Sequence, residues 1–350
     1  MFNQIVFLPW AALRVELQVG PVRFWPFNRQ TASKYVTDVP TRKFLYRYFR
    51  RYRNPLGKPV GTVVVASLEC INHRILNNEE LDDIRTAIHC LAFSVIGPDT
   101  KSKLDSYPPG MTKEPGSRYD LYIQNFTPEN FRLSVPFYGS VELNKIHLAR
   151  GMSISEHPIN PDRKLLAALG KFLWSTVAGR LKIPVARGLE WFTHAHKAAD
   201  RLSDSSQIVM MATAFETLLQ VQSEPYKASS MATKLETLIR ANDWAKRHTR
   251  PIRYNNGVRH KTRALPGWWI WNFYQARNRI VHGEPLLETD IWIKMKDGRK
   301  YSQVSVATAL FLEAIVWQLS RDGLYEQSFD FGKLHDDLAW SKKRNVRGKS

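Results

Sequence analysis

The feature that most constrains this chain is a change of hydrophobic period near residue 157. From Met1 to about Gly151 apolar residues come in short runs with β character: Ile5 to Leu8, Val15 to Val19, Val22 to Trp25, Thr62 to Ala66 and Phe131 to Val135. Pro and Gly clusters separate them. One helix is predicted from Asn78 to about Ile96; its acidic opening suits the positive end of the helix dipole, and Ile84, Ile88, Leu91 and Phe93 continue it.

Past the linker Glu156 to Pro161 the apolar residues recur at three- and four-residue steps. Helices are predicted over about 163–178, 185–201, 204–220, 230–242, 266–283 and 303–321. The expected class is α+β: a mixed, mostly β domain over 1–156, an all-helical bundle over 157–325, and a basic tail over 326–350. Two insertions interrupt the bundle, a basic segment at 240–265 and a hairpin at 290–302 turning at Asp297-Gly298.

The formal charge of +19 gives the molecule a positive field and favours a polyanionic partner, nucleic acid first. Only Cys70 and Cys90 occur, too few for a disulfide framework, so a reducing cytoplasm is expected. Met1 to Gly20 lacks a basic opening and carries Pro9, Trp10 and Arg14, which is not a signal-peptide pattern. No uninterrupted apolar stretch reaches the roughly 20 residues that span a bilayer, so no membrane partner is expected.

The predicted helix over 266–283 carries the chemistry. Pro266 occupies a permitted first-turn position, and Gly283, with Pro285 just beyond it, is a left-handed stop. With about 100° per residue, Asn278 and His282 share a face, while Arg277 falls on the stripe of Ile270, Tyr274 and Val281, expected to be buried. A buried guanidinium requires a partner. RNA cleavage without a metal needs a group that moves protons near neutral pH and a cation for the phosphorane charge. His282 and Arg277 supply these. One chain supplies a single titrating imidazole there, so a second protomer across a two-fold axis is the simplest completion of an acid and base pair, making a homodimer part of the mechanism.

Arg277-Asn278-x-x-x-His282 resembles the Arg-x(4–6)-His signature of HEPN domains, in the form where a polar residue follows the Arg. Val281-His282-Gly283 and Ala214-Phe215-Glu216-Thr217-Leu218-Leu219 are similar to the ApeA-like branch found in bacterial antiphage proteins. The resemblance covers about residues 185–321. It implies a helical bundle dimerising through the signature helices, and a metal-independent endoribonuclease leaving a 2′,3′-cyclic phosphate, in abortive infection or as a toxin held by an antitoxin. It also implies that Glu216 matches a recurrent acidic position able to hold Arg277. The first domain would then sense a trigger or select the RNA.

The RNA grip is expected in the basic insertion, where Arg247, Arg250, Arg253, Arg259, Lys261 and Arg263 can neutralise phosphates and Tyr254 can stack on bases. A solvated surface loop is the plainer reading. Arg42 to Arg53 interleaves the same residue types, but an amphipathic helix burying Phe44, Leu45, Tyr48 and Phe49 gives that pattern without a ligand. Cys70 with His73, and His89 with Cys90, raise zinc, yet adjacent helical residues diverge. His194 and His196 with Asp200 match no standard metal site. No Gly-rich phosphate loop or nucleophile motif occurs, and neither metal nor cofactor is implied. Two function classes remain: the ribonuclease, and a non-catalytic dimeric module binding nucleic acid or a nucleotide.

Overall fold

The computed structural model describes residues 3–53, 57–60, 63–68, 75–105, 116–135, 139–145, 148–149, 158–197, 202–239, 248–253, 260–294, 298–326 and 328–340. The fold is α+β, a seven-stranded antiparallel sheet followed in sequence by helices. Internal contacts group the chain into two units, residues 1–95 with 115–174 and residues 96–114 with 175–350.

In the first unit, β1 (Asn3–Leu8) alternates Ile5 and Phe7 on one face with Val6 and Leu8 on the other, and all four are buried. The sheet is therefore covered on both sides at this strand. It also contains β2 (Leu17–Val19), β3 (Val22–Pro26), β5 (Val64–Ser67), β6 (Tyr122–Thr127), β7 (Arg132–Val135) and β8 (Gly139–Glu142), in the order β2-β3-β5-β1-β6-β7-β8. The short strands β4 (Tyr52–Arg53) and β9 (Leu148–Ala149) pair separately and in parallel. Helices α1 (Arg29–Tyr35) and α2 (Val39–Phe49) follow β3. Asp38 caps α2, which lays its aromatic side on the sheet: Phe44 stacks on Phe126 at 4.4 Å, and Phe7 meets Phe49 edge-on at 5.1 Å. Arg42 to Arg53 thus takes its aromatic spacing from core packing, and Arg47 lies over the Phe131 ring at 4.3 Å.

The stretch expected as a basic tail over 326–350 contains a helix at Gly332–Trp340 that buries Leu334 and Leu338, and two further boundaries differ from the expectation. The helix predicted to stop near Ile96 continues as α3 (Asn78–Asp105) through Gly97-Pro98. Pro98 has no N–H for the Ser94 carbonyl, and Asp162 donates its own N–H there at 2.9 Å, so the freed acceptor is satisfied. The second is the domain boundary, which falls after Trp174 and not at 157. Helix α4 (Arg163–Trp174) buries Leu165, Leu166, Leu169, Phe172 and Leu173 within the first unit, and Trp174 Nε1 donates to Asp83 Oδ1 at 2.8 Å. The change of period marks where the strands of the first unit end, one helix before residue 175, where the chain passes into the second unit.

The second unit contains α5 (Lys182–His196), α6 (Asp204–Leu218), α7 (Lys227–Ile239), α8 (Leu265–Val281), α9 (Gln303–Arg321) and α10 (Gly332–Trp340). By length and composition α9 could cross a bilayer, yet it is the core helix here, buried from Val306 through Val316 without a break. The basic insertion forms a hairpin, β10 (Thr249–Arg253) with β11 (His260–Ala264). The predicted second hairpin is present as β12 (Trp292–Lys294) and β13 (Lys300–Ser302), with Ile293 opposite Tyr301. Asp297 and the tail 341–350 lie outside the described residues.

Candidate active site

Helix α8 is fixed at both ends by neighbouring groups. Its N-cap Ala264 has no side-chain acceptor to offer, and Glu236 of α7 takes over: Oε1 accepts the Ala264 N–H at 2.7 Å, while Oε2 pairs with Arg263 at 3.0 Å. At the other end Gly283 adopts φ 71°, its N–H reaching the Ile280 carbonyl and that of Glu284 reaching Arg279. These two bonds make the Schellman stop expected of Gly283. Arg279 forks onto both oxygens of the buried Asp290, whose Oδ2 also accepts the Leu287 N–H at 2.8 Å. The chain leaving the helix is thereby tied back to its last turn.

Along α8 burial falls steadily. Ile270 and Tyr274 are buried, Arg277 and Asn278 half-buried, and Val281 and His282 exposed. The expectation that Val281 continues a buried stripe is corrected: it is 51% exposed. The last turn protrudes beyond the helices that cover its first half, which brings polar groups of a core helix to the surface.

Glu216 of α6 is the buried centre of the cluster, 5% exposed. The Tyr274 hydroxyl donates to Oε1 at 2.9 Å, Lys227 Nζ meets Oε2 at 3.1 Å, and Arg277 Nη2 lies 3.7 Å from Oε1. Two cations on one carboxylate leave local positive charge. Burial first, then the Glu216 charge and hydrogen bond, push the Tyr274 hydroxyl well above its ordinary range, so it stays a donor. At 3.7 Å the Arg277 contact is an ion pair without a hydrogen bond. Among the described residues the guanidinium donates to Asn278 Oδ1 alone, at 3.3 Å, and its buried Nε has no partner. It is held in place while most of its five donors remain uncommitted.

The structure thus brings Glu216, Arg277 and Asn278 together, joined by Tyr274 and Lys227, which the sequence analysis did not single out. His282 stands apart: it is the C-cap of α8, exposed, and no hydrogen bond or ion pair joins its side chain to Arg277 among the described residues.

Beside the cluster runs a groove of about 630 Å³, bounded by Glu224 to Ser229 and by Trp271, Tyr274, Gln275 and Asn278. The four α8 residues follow helical spacing, a signal present in the sequence. Tyr226 and the rest of the opposite wall come from the turn before α7 and its first turn, which no periodicity marks.

Two of the residues expected to grip RNA are engaged within the chain. Arg263 is 4% exposed and spends its donors on Glu236, Thr233 and Ser229. Arg250 donates to the Ala339 carbonyl of α10, and burial lowers its pKa. Arg263 serves packing, and Arg250, half-buried and opposite it in register, is tied to α10. The backbone places Arg253 and Lys261 in the two strands, whereas Arg247, Tyr254 and Arg259 lie outside the described residues.

The histidine and cysteine motifs have structural partners or fall out of view. His196 bonds Phe192 O at 2.7 Å and Thr308 Oγ1 at 2.9 Å, and burial raises the Cys90 thiol pKa beyond reactive range. Cys70 and His73, like Asp200, lie outside the described residues. No cluster of three or more metal-ligating side chains occurs among the described residues. No protein-family model, characterised protein or solved structure matches the chain.

Proposed function

We propose that this chain is a metal-independent endoribonuclease whose site is completed when the α8 ends of two copies meet. The observation that carries this reading is Arg277: a cation anchored by a buried carboxylate, with donors to spare, five residues before an exposed histidine at the same helix end. In the proposed reaction one His282 takes the proton of a ribose 2′-hydroxyl, and the 2′-oxygen bonds to phosphorus. The two Arg277 guanidiniums stabilise the added negative charge on the phosphorane. The second protomer's imidazole gives a proton to the departing 5′-oxygen as the phosphorus–oxygen bond breaks, leaving a 2′,3′-cyclic phosphate. Asn278 orients the phosphate, and Glu216 positions Arg277.

The motif's resemblance to ApeA-like HEPN domains supports a role in bacterial antiphage defence or as a toxin, acting on RNA in the cytoplasm, with an antitoxin as a further partner. A non-catalytic dimeric module is the second reading. It is favoured by the seat of His282 at a helix C-terminus, where an imidazolium complements the dipole without any chemistry.

RNA cleavage in the presence of EDTA, by wild type, His282→Ala and Arg277→Ala, separates the two. Cleavage abolished by both substitutions, with circular dichroism and sedimentation unchanged, supports the enzyme. Cleavage indifferent to both rejects this site, and an absence of cleavage by wild type supports the module.

A further inference from the structure

We infer that the groove beside Arg277 is a nucleobase subsite, holding one base of the RNA strand whose phosphate lies at Asn278. The inference rests on the RNA reading above and adds how one base of the strand is gripped.

The groove's volume, about 630 Å³, falls in the roughly 300–1,000 Å³ range typical of small-ligand sites. Its aromatic lining comes from two segments of the chain: Tyr226, 79% exposed, just before α7, and the half-buried Trp271 of α8. A tyrosine left that open beside a groove gains nothing from the core, but it offers a flat face to another flat ring. Gln275 supplies the donor and acceptor that a base edge requires.

Charge also suits a nucleotide. Lys227 lines the groove and shares Glu216 with Arg277, so the local balance is positive on that side. The one carboxylate on the rim, Glu224, is paired with Lys234 at 3.3 Å. From Trp271 to Asn278 is about two helical turns, roughly 10 Å along α8. A base stacked at one end therefore leaves its strand running toward the cluster at the other.

The test is fluorescence anisotropy with labelled 2′-O-methyl hexanucleotides of each base, which lack the attacking hydroxyl and remain uncut. Full-length wild type, Tyr226→Ala, Tyr226→Phe, Gln275→Leu and the control Ile183→Ser, on the exposed side of α5, are compared. Loss of one stacking face predicts binding by Tyr226→Ala weakened roughly 5- to 100-fold. Tyr226→Phe and Ile183→Ser bind as wild type, and Gln275→Leu changes the ranking of the four bases. Wild-type affinity in Tyr226→Ala overturns the subsite; if that protein still cuts RNA through His282, the cleavage reading stands alone. Stacking at Tyr226 combined with cleavage indifferent to His282→Ala leaves the subsite standing and removes the cleavage reading.

Discussion

Arg277 Nη2 lies 3.7 Å from Glu216 Oε1, the oxygen that also accepts the Tyr274 hydroxyl. The tyrosine thus shares with the arginine the carboxylate that places it. Tyr274→Phe removes a hydrogen bond to a buried charge, so a loss of about 1.5–3 kcal/mol is expected in urea unfolding. RNA cleavage should fall as the carboxylate becomes freer, with little change in hexanucleotide affinity.

Arg263 separates a structural role from an RNA-binding one. Its substitution leaves Glu236 without its paired cation in a nearly buried site, for an expected cost of about 3–5 kcal/mol. Gly267→Ala attacks the same anchor from the other side, because its new methyl would sit 2.4 Å from Glu236 Oε1. That carboxylate cannot swing away without releasing Ala264 N and Arg263. Both variants should unfold at lower urea concentrations than wild type.

The limits of sequence reading follow from these details. Helical period located α6, α8 and α9, because apolar spacing reports which side a helix buries, whereas the pairing of Arg277 with Glu216 was implied only by the resemblance of the two motifs. It did not foresee that α8 emerges from its bundle at Val281, since exposure of a last turn depends on how far the neighbouring helices extend. Nor could it show that Arg263 faces inward: strand residues alternate, and a cation on the inner side looks identical in sequence to one in solvent. Glu236 was invisible for a third reason, as it caps a helix belonging to a different stretch of chain.

Gln220 occupies the left-handed stop of α6 at φ 52°, with the two carbonyl bonds of a Schellman motif formed by its own N–H and that of Val221. Glycine adopts this backbone without the side-chain penalty. Gln220→Gly should stabilise the protein by about 1 kcal/mol in thermal or urea unfolding.

His335 of α10 and Glu313 of α9 form a fully buried pair, with Nε2 3.0 Å from both carboxylate oxygens. Burial opposes the imidazolium, but the charge and hydrogen bond of Glu313, with Asp336 and Asp330 nearby, outweigh it and raise the His335 pKa. A histidine raised above its unfolded value of about 6.5 contributes stability that is full below that pH and lost as pH rises through the folded pKa. Unfolding midpoints should therefore decline from pH 6 toward alkaline pH, and His335→Gln should flatten that part of the profile.

The most direct test of a site shared between two copies is the cleavage rate of a purified heterodimer, one chain wild type and the other His282→Ala. If one imidazole is the base and the other the acid, the heterodimer loses at least about 100-fold relative to wild type, approaching the His282→Ala homodimer. A heterodimer retaining about half the wild-type rate would mean that each chain carries a complete site, contradicting the shared one.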